Sequence, residues 1–380
     1  MNKFYEFFAG GGMARAGLGE GWSCQFANDF DRKKGKSYKD NWSDENLRIG
    51  DIRAVETSDL PGTADLAWAS FPCQDLSLAG GGAGLKGERS GTFWPFWAQM
   101  EKLIKEGRGP RIIALENVTG ALTSHQGKDF AAICESFNKV GYRCGAVVVD
   151  AALFVPQSRP RLFIIGIRKD LDIPSKMISD QPSEWHTKTL MTAHKKLKVK
   201  ERENWLWWRF PAPLIRNSQF ADLIEDKPKS VSWHEKHETQ KLLSMMSKIN
   251  LAKVEAAKKT GRKMVGAIYK RTRRDEFGRK VQRAEVRFDD LAGCLRTPAG
   301  GSSRQLILVV EGRKIRSRLI SARETARLMG LPDEYLLPNK YNEAYHLTGD
   351  GVAVPVVRHL AEHLFEPLLK TNKKIRRAAA

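Results

Sequence analysis

Cysteine is scarce, acid is in deficit, and no long apolar run occurs. The five cysteines (Cys24, Cys73, Cys134, Cys144, Cys294) are scattered through 380 residues and form neither a CxxC pair nor a Cys/His cluster at metal spacing. Disulfides and structural zinc are thereby set aside, and no metal is expected. The absence of a run of about 18 apolar residues argues against a transmembrane helix. No lipidation motif opens or closes the chain. Met1-Asn2-Lys3-Phe4 leads directly into a strand-like segment, without the charged and apolar sections of a signal peptide. The expectation is a soluble cytoplasmic protein with no membrane partner. Internal repeats are missing too, as is low complexity beyond the basic tail at 373–377.

The shortage of acid is as informative. Against 64 Lys and Arg stand 44 Asp and Glu, a formal net charge of +20, which points to a polyanionic partner, nucleic acid first and a membrane surface second. Hydrophobic content of 41% with ten tryptophans suffices for ordinary folded cores. The length favours about two domains.

Short β-rich runs alternate with helical stretches over the first 170 residues. Strands are expected at 4–8, 24–28, 65–71, 111–115, 146–150 and 162–167, with amphipathic segments near 31–41, 93–105 and 128–140. This rhythm predicts an α/β fold with a doubly wound, mostly parallel sheet, in which ligands bind at the carboxyl ends of the strands. From about 170 to 290 the regularity fails. The composition turns basic and tryptophan-rich, as in Trp205-Leu206-Trp207-Trp208-Arg209 and Tyr269-Lys270-Arg271-Thr272-Arg273-Arg274, and suggests a second domain containing a helix at 241–258. A strand at 305–311, a helix at 322–329 and a closing helix from 354 to about 369 follow. The domains expected are 1–170 with 340–372, and 171–339.

Several residue groups fall at the predicted strand ends. Phe8-Ala9-Gly10-Gly11-Gly12 follows the first strand and Asp29-Phe30 ends the second, the layout of a nucleoside-type cofactor site. Asp29 suits ribose hydroxyls and Phe30 an adenine face. Arg15 stands where the dinucleotide fingerprint wants Gly or Ala, which weakens a nicotinamide reading; a structural glycine turn would look much the same. Asp51, beside Ile52, is either an adenine contact or a solvated loop carboxylate. Phe71-Pro72-Cys73-Gln74 ends the third predicted strand and runs through Ser77 into a glycine-dense segment. Cys73 is therefore a nucleophile under a mobile segment or a core cysteine beside a surface loop. Glu116-Asn117-Val118 ends the next strand, where the carboxylate reaches the same edge as Cys73 or serves as a cap or ion-pair member. In Gln157-Ser158-Arg159-Pro160-Arg161 the two arginines share a side of an extended chain, suited to bias a thiol toward thiolate or to form a solvated basic edge.

In shared order and spacing, these segments resemble the C5-cytosine DNA methyltransferases. So do Arg318-Leu319-Ile320-Ser321-Ala322-Arg323-Glu324, Arg327-Leu328-Met329-Gly330-Leu331-Pro332 and Gly349-Asp350-Gly351-Val352. The resemblance covers most of the chain apart from the central basic region. Met13, Asp75, Ser321, Met329 and Asp350 depart from the family pattern. The last replaces an Asn and bears on the cofactor's amino acid end.

The resemblance implies a Rossmann-like enzyme that methylates C5 of a cytosine flipped out of duplex DNA, with S-adenosyl-L-methionine as cofactor. It makes Cys73 the nucleophile that adds to carbon 6 and turns the ring into an enamine. Glu116 serves the N3 edge as an acid, which requires it protonated at least transiently, a form that burial favours. Arg161 contacts the base, and Arg159 helps hold the site together. Cofactor contacts carry over to Phe8, Ala9, Gly10, Gly12, Asp29, Phe30, Asp51, Ile52, Pro72, Asp350 and Gly351. Substrate contacts carry over to Gln74, Ser77, Asn117, Gln157 and Arg304.

The central basic region corresponds to the family's target-recognition part. A monomer is expected, bound to double-stranded DNA and so nucleoid-associated, with a cognate restriction endonuclease acting separately where the enzyme serves a restriction-modification system. The rival readings are a tRNA cytosine-5 methyltransferase and a non-catalytic DNA-binding protein of the same fold; the large basic insert favours duplex DNA over tRNA.

Overall fold

The computed structural model describes residues 1–43, 45–72, 84–87, 90–296 and 304–378. The described residues divide into two compact units, one of Met1–Asp150, Pro160–Leu214 and Val352–Ala380, the other of Ala151–Arg159 and Ile215–Gly351.

In the first unit, β1 (Asn2–Phe7), α1 (Met13–Leu18), β2 (Trp22–Asp29), α2 (Arg32–Trp42), β3 (Leu47–Ile49), β4 (Leu66–Ala69), α3 (Phe93–Lys105), β5 (Ile112–Val118), α4 (Lys128–Lys139), β6 (Tyr142–Asp150) and β7 (Pro160–Arg168) follow in order. The sheet runs β3-β2-β1-β4-β5-β7-β6. Strands β1 to β5 pair in parallel, and β7 is antiparallel to both β5 and β6. Strands buried on both faces read as nearly continuous apolar runs, and β4 (Leu-Ala-Trp-Ala) and β5 are such strands. Tyr5, Phe7, Ala67, Ile113 and Leu115 share one core with Phe93, Phe96 and Trp97 of α3 and Phe130 and Phe137 of α4. Asp31 starts α2 by accepting the backbone N–H groups of Lys33 and Lys34. Chain order reverses across the sheet between β1 and β4, which makes the loops after those two strands the expected ligand crevice.

The tryptophan-rich stretch belongs to this first unit, which extends to Leu214 rather than stopping near residue 170. After β8 (Ile178–Ser179), α5 (Lys188–Lys195) and α6 (Val199–Glu203), the chain enters β9 (Trp207–Trp208), and Leu206 N–H donates to the Cys144 carbonyl of β6 at 2.9 Å. Trp205 packs edge-on against Phe130, and the fully buried Trp208 donates its indole N–H to the Ile165 carbonyl. These indoles cover sheet and helix. Composition alone had grouped them with the basic residues that follow.

The second unit holds α7 (Lys236–Ser244), α8 (Lys248–Lys259), β10 (Met264–Arg274), β11 (Lys280–Arg287), β12 (Leu306–Glu311), β13 (Lys314–Leu319), α9 (Ala322–Arg327) and α10 (Tyr341–Asp350). Its sheet is antiparallel in the order β11-β10-β12-β13. The single helix expected at 241–258 is two, because Ser247 caps the second by accepting the Asn250 N–H while the Met245 carbonyl accepts the N–H of Ala284. The chain then returns to the first unit in α11 (Val354–Leu360), a π-helical turn at Ala361–Phe365 and α12 (Glu366–Ala378), which runs past the expected end near 369.

Among the described residues no helix is long and apolar enough to cross a membrane.

Candidate functional site

The turn after β1 is shaped for close approach. Phe8, Gly10 and Gly12 all have positive φ (58°, 57° and 76°). The Ala9 N–H reaches the Asn28 carbonyl at 2.9 Å, and Gly10 N–H reaches Asp29 Oδ2 at 2.7 Å. The loop is thus fastened to the end of β2. A side chain on Gly12 would begin 2.3 Å from Trp42 Nε1, whose indole N–H already donates to the Gly11 carbonyl. Gly10 is the opposite case. Nothing lies within 4 Å of where its Cβ would be, which leaves its backbone open to a ligand.

Asp29 is buried, and burial raises its carboxyl pKa from its ordinary value. It accepts from Gly10 N–H through Oδ2 and from Asp31 N–H through Oδ1. Beside it Phe30 is 74% exposed, an unusual state for so large an apolar ring and the geometry of a stacking platform. Asp51 caps a short helical turn through Arg53 N–H and pairs with the Arg53 guanidinium at 2.9 Å, and Ile52 beneath it is buried. An open glycine backbone, a carboxylate at the end of β2 and a bare aromatic face fit a nucleoside-bearing group. Asp350 and Gly351 belong to the second unit, at the end of α10 and just beyond it.

The second half of the site lies at the ends of β4 and β5. Asn117 Nδ2 donates to the Phe71 carbonyl at 3.0 Å, a buried bond that fixes the backbone two residues ahead of Cys73 and next to the half-buried Pro72. Glu116, on the same strand end, is 6% exposed, and its Oε1 lies 3.1 Å from Arg161 Nε. Arg161 stands opposite Val118 in the β5–β7 pairing, so the antiparallel strand delivers its guanidinium to this carboxylate. Cys73, Gln74 and Ser77 lie outside the described residues. Among the cysteines described, Cys24 has its thiol pushed up to about 11 and Cys134 well above the ordinary thiol value, both chiefly by burial, the reverse of what a nucleophile requires.

Two expectations change. Arg159 and Arg161 do not share one side of a strand, since β7 begins at Pro160 and Arg159 belongs to the second unit. There the buried Arg159 guanidinium donates to the carbonyls of Leu295 (3.2 Å), Gly349 (2.9 Å) and Gly351 (2.6 Å). It is a positioning residue for the segment carrying Asp350 and Gly351. Gln157 is fully buried. Its amide donates to the Leu328 carbonyl at 2.7 Å and accepts from Leu295 N–H at 3.2 Å, so those polar atoms serve the packing of the second unit rather than a substrate. Arg304 donates to Asn342 Oδ1 at 3.3 Å and lies over the Tyr341 ring, also within the second unit.

Glu6, Arg15 and Tyr38 were missed as a group. Glu6 interrupts the apolar strand Phe4-Tyr5-Glu6-Phe7, a signal the sequence did carry. Its Oε1 accepts from the Arg15 backbone N–H at 3.3 Å, and the Arg15 guanidinium donates to Tyr38 Oη at 3.1 Å and covers the Trp42 ring. The cluster underpins the glycine turn. Burial pushes the Glu6 carboxyl up from 4.5 to about 8. The folded state then holds a proton that the unfolded chain gives up, so the associated stability is full below about pH 4.5 and is lost as pH rises through about 8. Glu6→Gln, which keeps the neutral shape, is expected to flatten this decline. Urea midpoints measured across that window would show it, and an unchanged slope in the variant would count against the assignment.

A parallel sheet reversing at β1/β4, with a nucleoside-shaped turn on one side of the reversal and a buried carboxylate–guanidinium pair on the other, defines a Rossmann-like group-transfer fold. The family model for C-5 cytosine-specific DNA methylase matches residues 2–366, and the chain belongs to that family. It is 26% identical over 98% of its length to the Type II methyltransferase M1.ScrFI of Lactococcus lactis subsp. cremoris, covering 80% of that protein. It is 25% identical over 96% of its length to the Type II methyltransferase M.HpaII of Haemophilus parainfluenzae, covering 89% of it. The fold resembles that of S. pombe Dnmt2 methyltransferase (TM-score 0.57, 18% identity, 97% of this chain and 99% of the other). It also resembles that of the Entamoeba histolytica methyltransferase EhMeth (TM-score 0.58, 14% identity, 97% and 99%).

Proposed function

We propose that this DNA cytosine-5 methyltransferase uses Cys73 as a covalent nucleophile on a cytosine flipped out of a specific duplex sequence, with S-adenosyl-L-methionine as donor. The observation that carries the reading is the buried Glu116–Arg161 pair at the end of β5, next to the strand end where Asn117 holds the Phe71 carbonyl. The donor supplies an electrophilic methyl group on a sulfonium. Asp29 would hydrogen-bond its ribose and Phe30 would stack on its adenine. The turn Phe8-Ala9-Gly10-Gly11-Gly12 would hold it by its backbone, and Asp51, Ile52 and Pro72 would complete the cradle within the first unit.

Carbon 5 of cytosine is a weak nucleophile. The Cys73 thiolate adds to carbon 6, and the electron pair of the 5,6 double bond moves to carbon 5 and the N3 edge. Glu116, once it has taken a proton from solvent, would offer that hydrogen there, held in orientation by Arg161. Carbon 5 would take the methyl group, the sulfonium leaving as a neutral thioether; N3 would return its proton to Glu116, and water would take the carbon 5 proton, whose bonding pair re-forms the 5,6 double bond as the thiolate departs. Gln74 and Ser77 contact the DNA, and the second unit reads the target sequence. The names of the relatives, Type II methyltransferases, support a place in a restriction-modification system, in which a separate endonuclease would share the enzyme's specificity.

The test supplies labelled donor with duplex DNA or with tRNA. Incorporation into duplex DNA is expected, with binding that weakens steeply in salt, log K falling by about 0.9 per phosphate contacted for each unit of log salt. Labelling of tRNA alone, or a flat salt response, would overturn the reading.

A further inference from the structure

β10 outgrows its sheet. It pairs with β12 only from Met264 to Ile268, whereas its pairing with β11 continues from Ala267 to Arg274. Beyond Ile268 the two strands form a free antiparallel ribbon, closed by the turn Asp275-Glu276-Phe277-Gly278-Arg279, in which Arg279 Nε is tied to Asp275 Oδ2 at 3.0 Å.

Directly opposite residues share a face of such a ribbon. One face carries Lys270, Thr272 and Arg274 against Ala284, Gln282 and Lys280. The other carries Tyr269, Arg271 and Arg273 against Glu285, Arg283 and Val281. The two faces differ in charge. On the second, Glu285 lies 2.5 Å from Arg273 Nη2 and 3.6 Å from Arg271 Nε, and the Arg271 guanidinium covers the Tyr269 ring. The first face has no carboxylate among its paired residues, and Lys270, Thr272, Arg274, Lys280 and Gln282 are all exposed. Arg274 stands directly opposite Lys280, and like charges so placed destabilise a ribbon unless an anion lies between them.

Six residues per strand extend about 20 Å, and the major groove, about 12 Å wide, admits a two-stranded ribbon. We propose that the face bearing Lys270, Thr272, Arg274, Lys280 and Gln282 enters the major groove of the target duplex. The opposed pair Thr272 and Gln282 reads base edges there, and the three cations hold phosphates on either side. Two adjacent polar side chains flanked by cations match the division of labour in sequence readout, in which phosphate contacts position and base contacts specify. Glutamine suits the donor–acceptor edge of adenine, and threonine a thymine methyl or a single hydrogen bond. This inference rests on the proposed action on duplex DNA.

The test has two readouts. Bisulfite sequencing of DNA from cells expressing the parent or the variants reports the methylated sequence. Salt titration of the purified proteins on a duplex carrying the parent's site reports phosphate contacts. Thr272→Ala with Gln282→Ala is expected to relax the preference at one or more positions roughly ten- to hundredfold. Lys270→Ala and Arg274→Ala should keep the sequence but each lower the salt slope by about 0.9. Arg273→Ala, on the other face, should change selectivity and slope little, and matching melting temperatures would show that each variant is folded. Unchanged selectivity in the double variant, or an Arg273→Ala effect equal to that of Arg274→Ala, overturns the ribbon assignment while the parent still methylates DNA. A parent inactive on duplex DNA overturns the proposed function, and the ribbon assignment with it.

Discussion

Cys73→Ala is expected to lower methyl transfer to duplex DNA by roughly 10⁴-fold or more, a loss of the size seen when a covalent nucleophile is removed. No other group in the proposed site can form the bond to carbon 6, so the ring stays aromatic and carbon 5 stays unreactive. The chemical signature is sharper than the rate. DNA carrying 5-fluorocytosine cannot lose a proton from carbon 5 after methylation, so the parent should be trapped as a protein–DNA adduct that survives a denaturing gel. Cys73→Ala should give no adduct. Glu116→Gln, which keeps the shape but cannot give up a carboxyl proton, should form it slowly. An adduct that persists in Cys73→Ala would transfer the nucleophile's role to another residue, and normal turnover in that variant would remove the covalent mechanism altogether.

The largest expected loss of stability is in the second unit. Arg318 and Glu324 form a fully buried ion pair, Nη2 to Oε1 at 2.5 Å and Nη1 to Oε2 at 2.8 Å. The same guanidinium donates to the Glu225 carbonyl and lies 4.6 Å from the centre of the Trp233 ring. Glu324 meanwhile accepts the backbone N–H groups of Ser321 and Glu225, so one carboxylate caps α9 and anchors the preceding chain. Arg318→Met leaves that carboxylate buried without its cation. Such a loss costs about 3–5 kcal/mol, and thermal unfolding should show a midpoint lower by roughly 6–20 °C. A shift within about 1 °C would mean that water reaches Glu324 readily in the variant. Cysteine-dependent adduct formation would separate the two effects, since the folded variant keeps Cys73, Glu116 and Arg161.

Much of the site was legible because chemistry at strand ends is written in short, local segments. The glycine turn with Asp29 and Phe30, and Glu116-Asn117 after an apolar strand, needed only the alternation of strands and helices to place them at one edge. The substrate contact expected of Gln157, and the shared side expected of Arg159 and Arg161, give way for a related reason. Their segment looks like the start of β7, yet the chain belongs to the second unit until Arg159, and only tertiary contacts show that its polar atoms satisfy carbonyls and amides near Leu295, Leu328 and Gly349. Likewise Trp205 and Trp208 carried no local sign that they pack on α4 and β7 of the first unit rather than belonging to the second.

The sequence by itself determined the doubly wound class, the family and the residue types at the reacting edge, because periodicity and short motifs are properties of neighbouring residues. Tertiary structure alone decided which arginine meets Glu116, where one unit gives way to the other, and which face of the β10–β11 ribbon is left without a carboxylate. Those outcomes depend on strand pairing between distant segments, and a register shifted by one residue would turn each of these side chains to the opposite face.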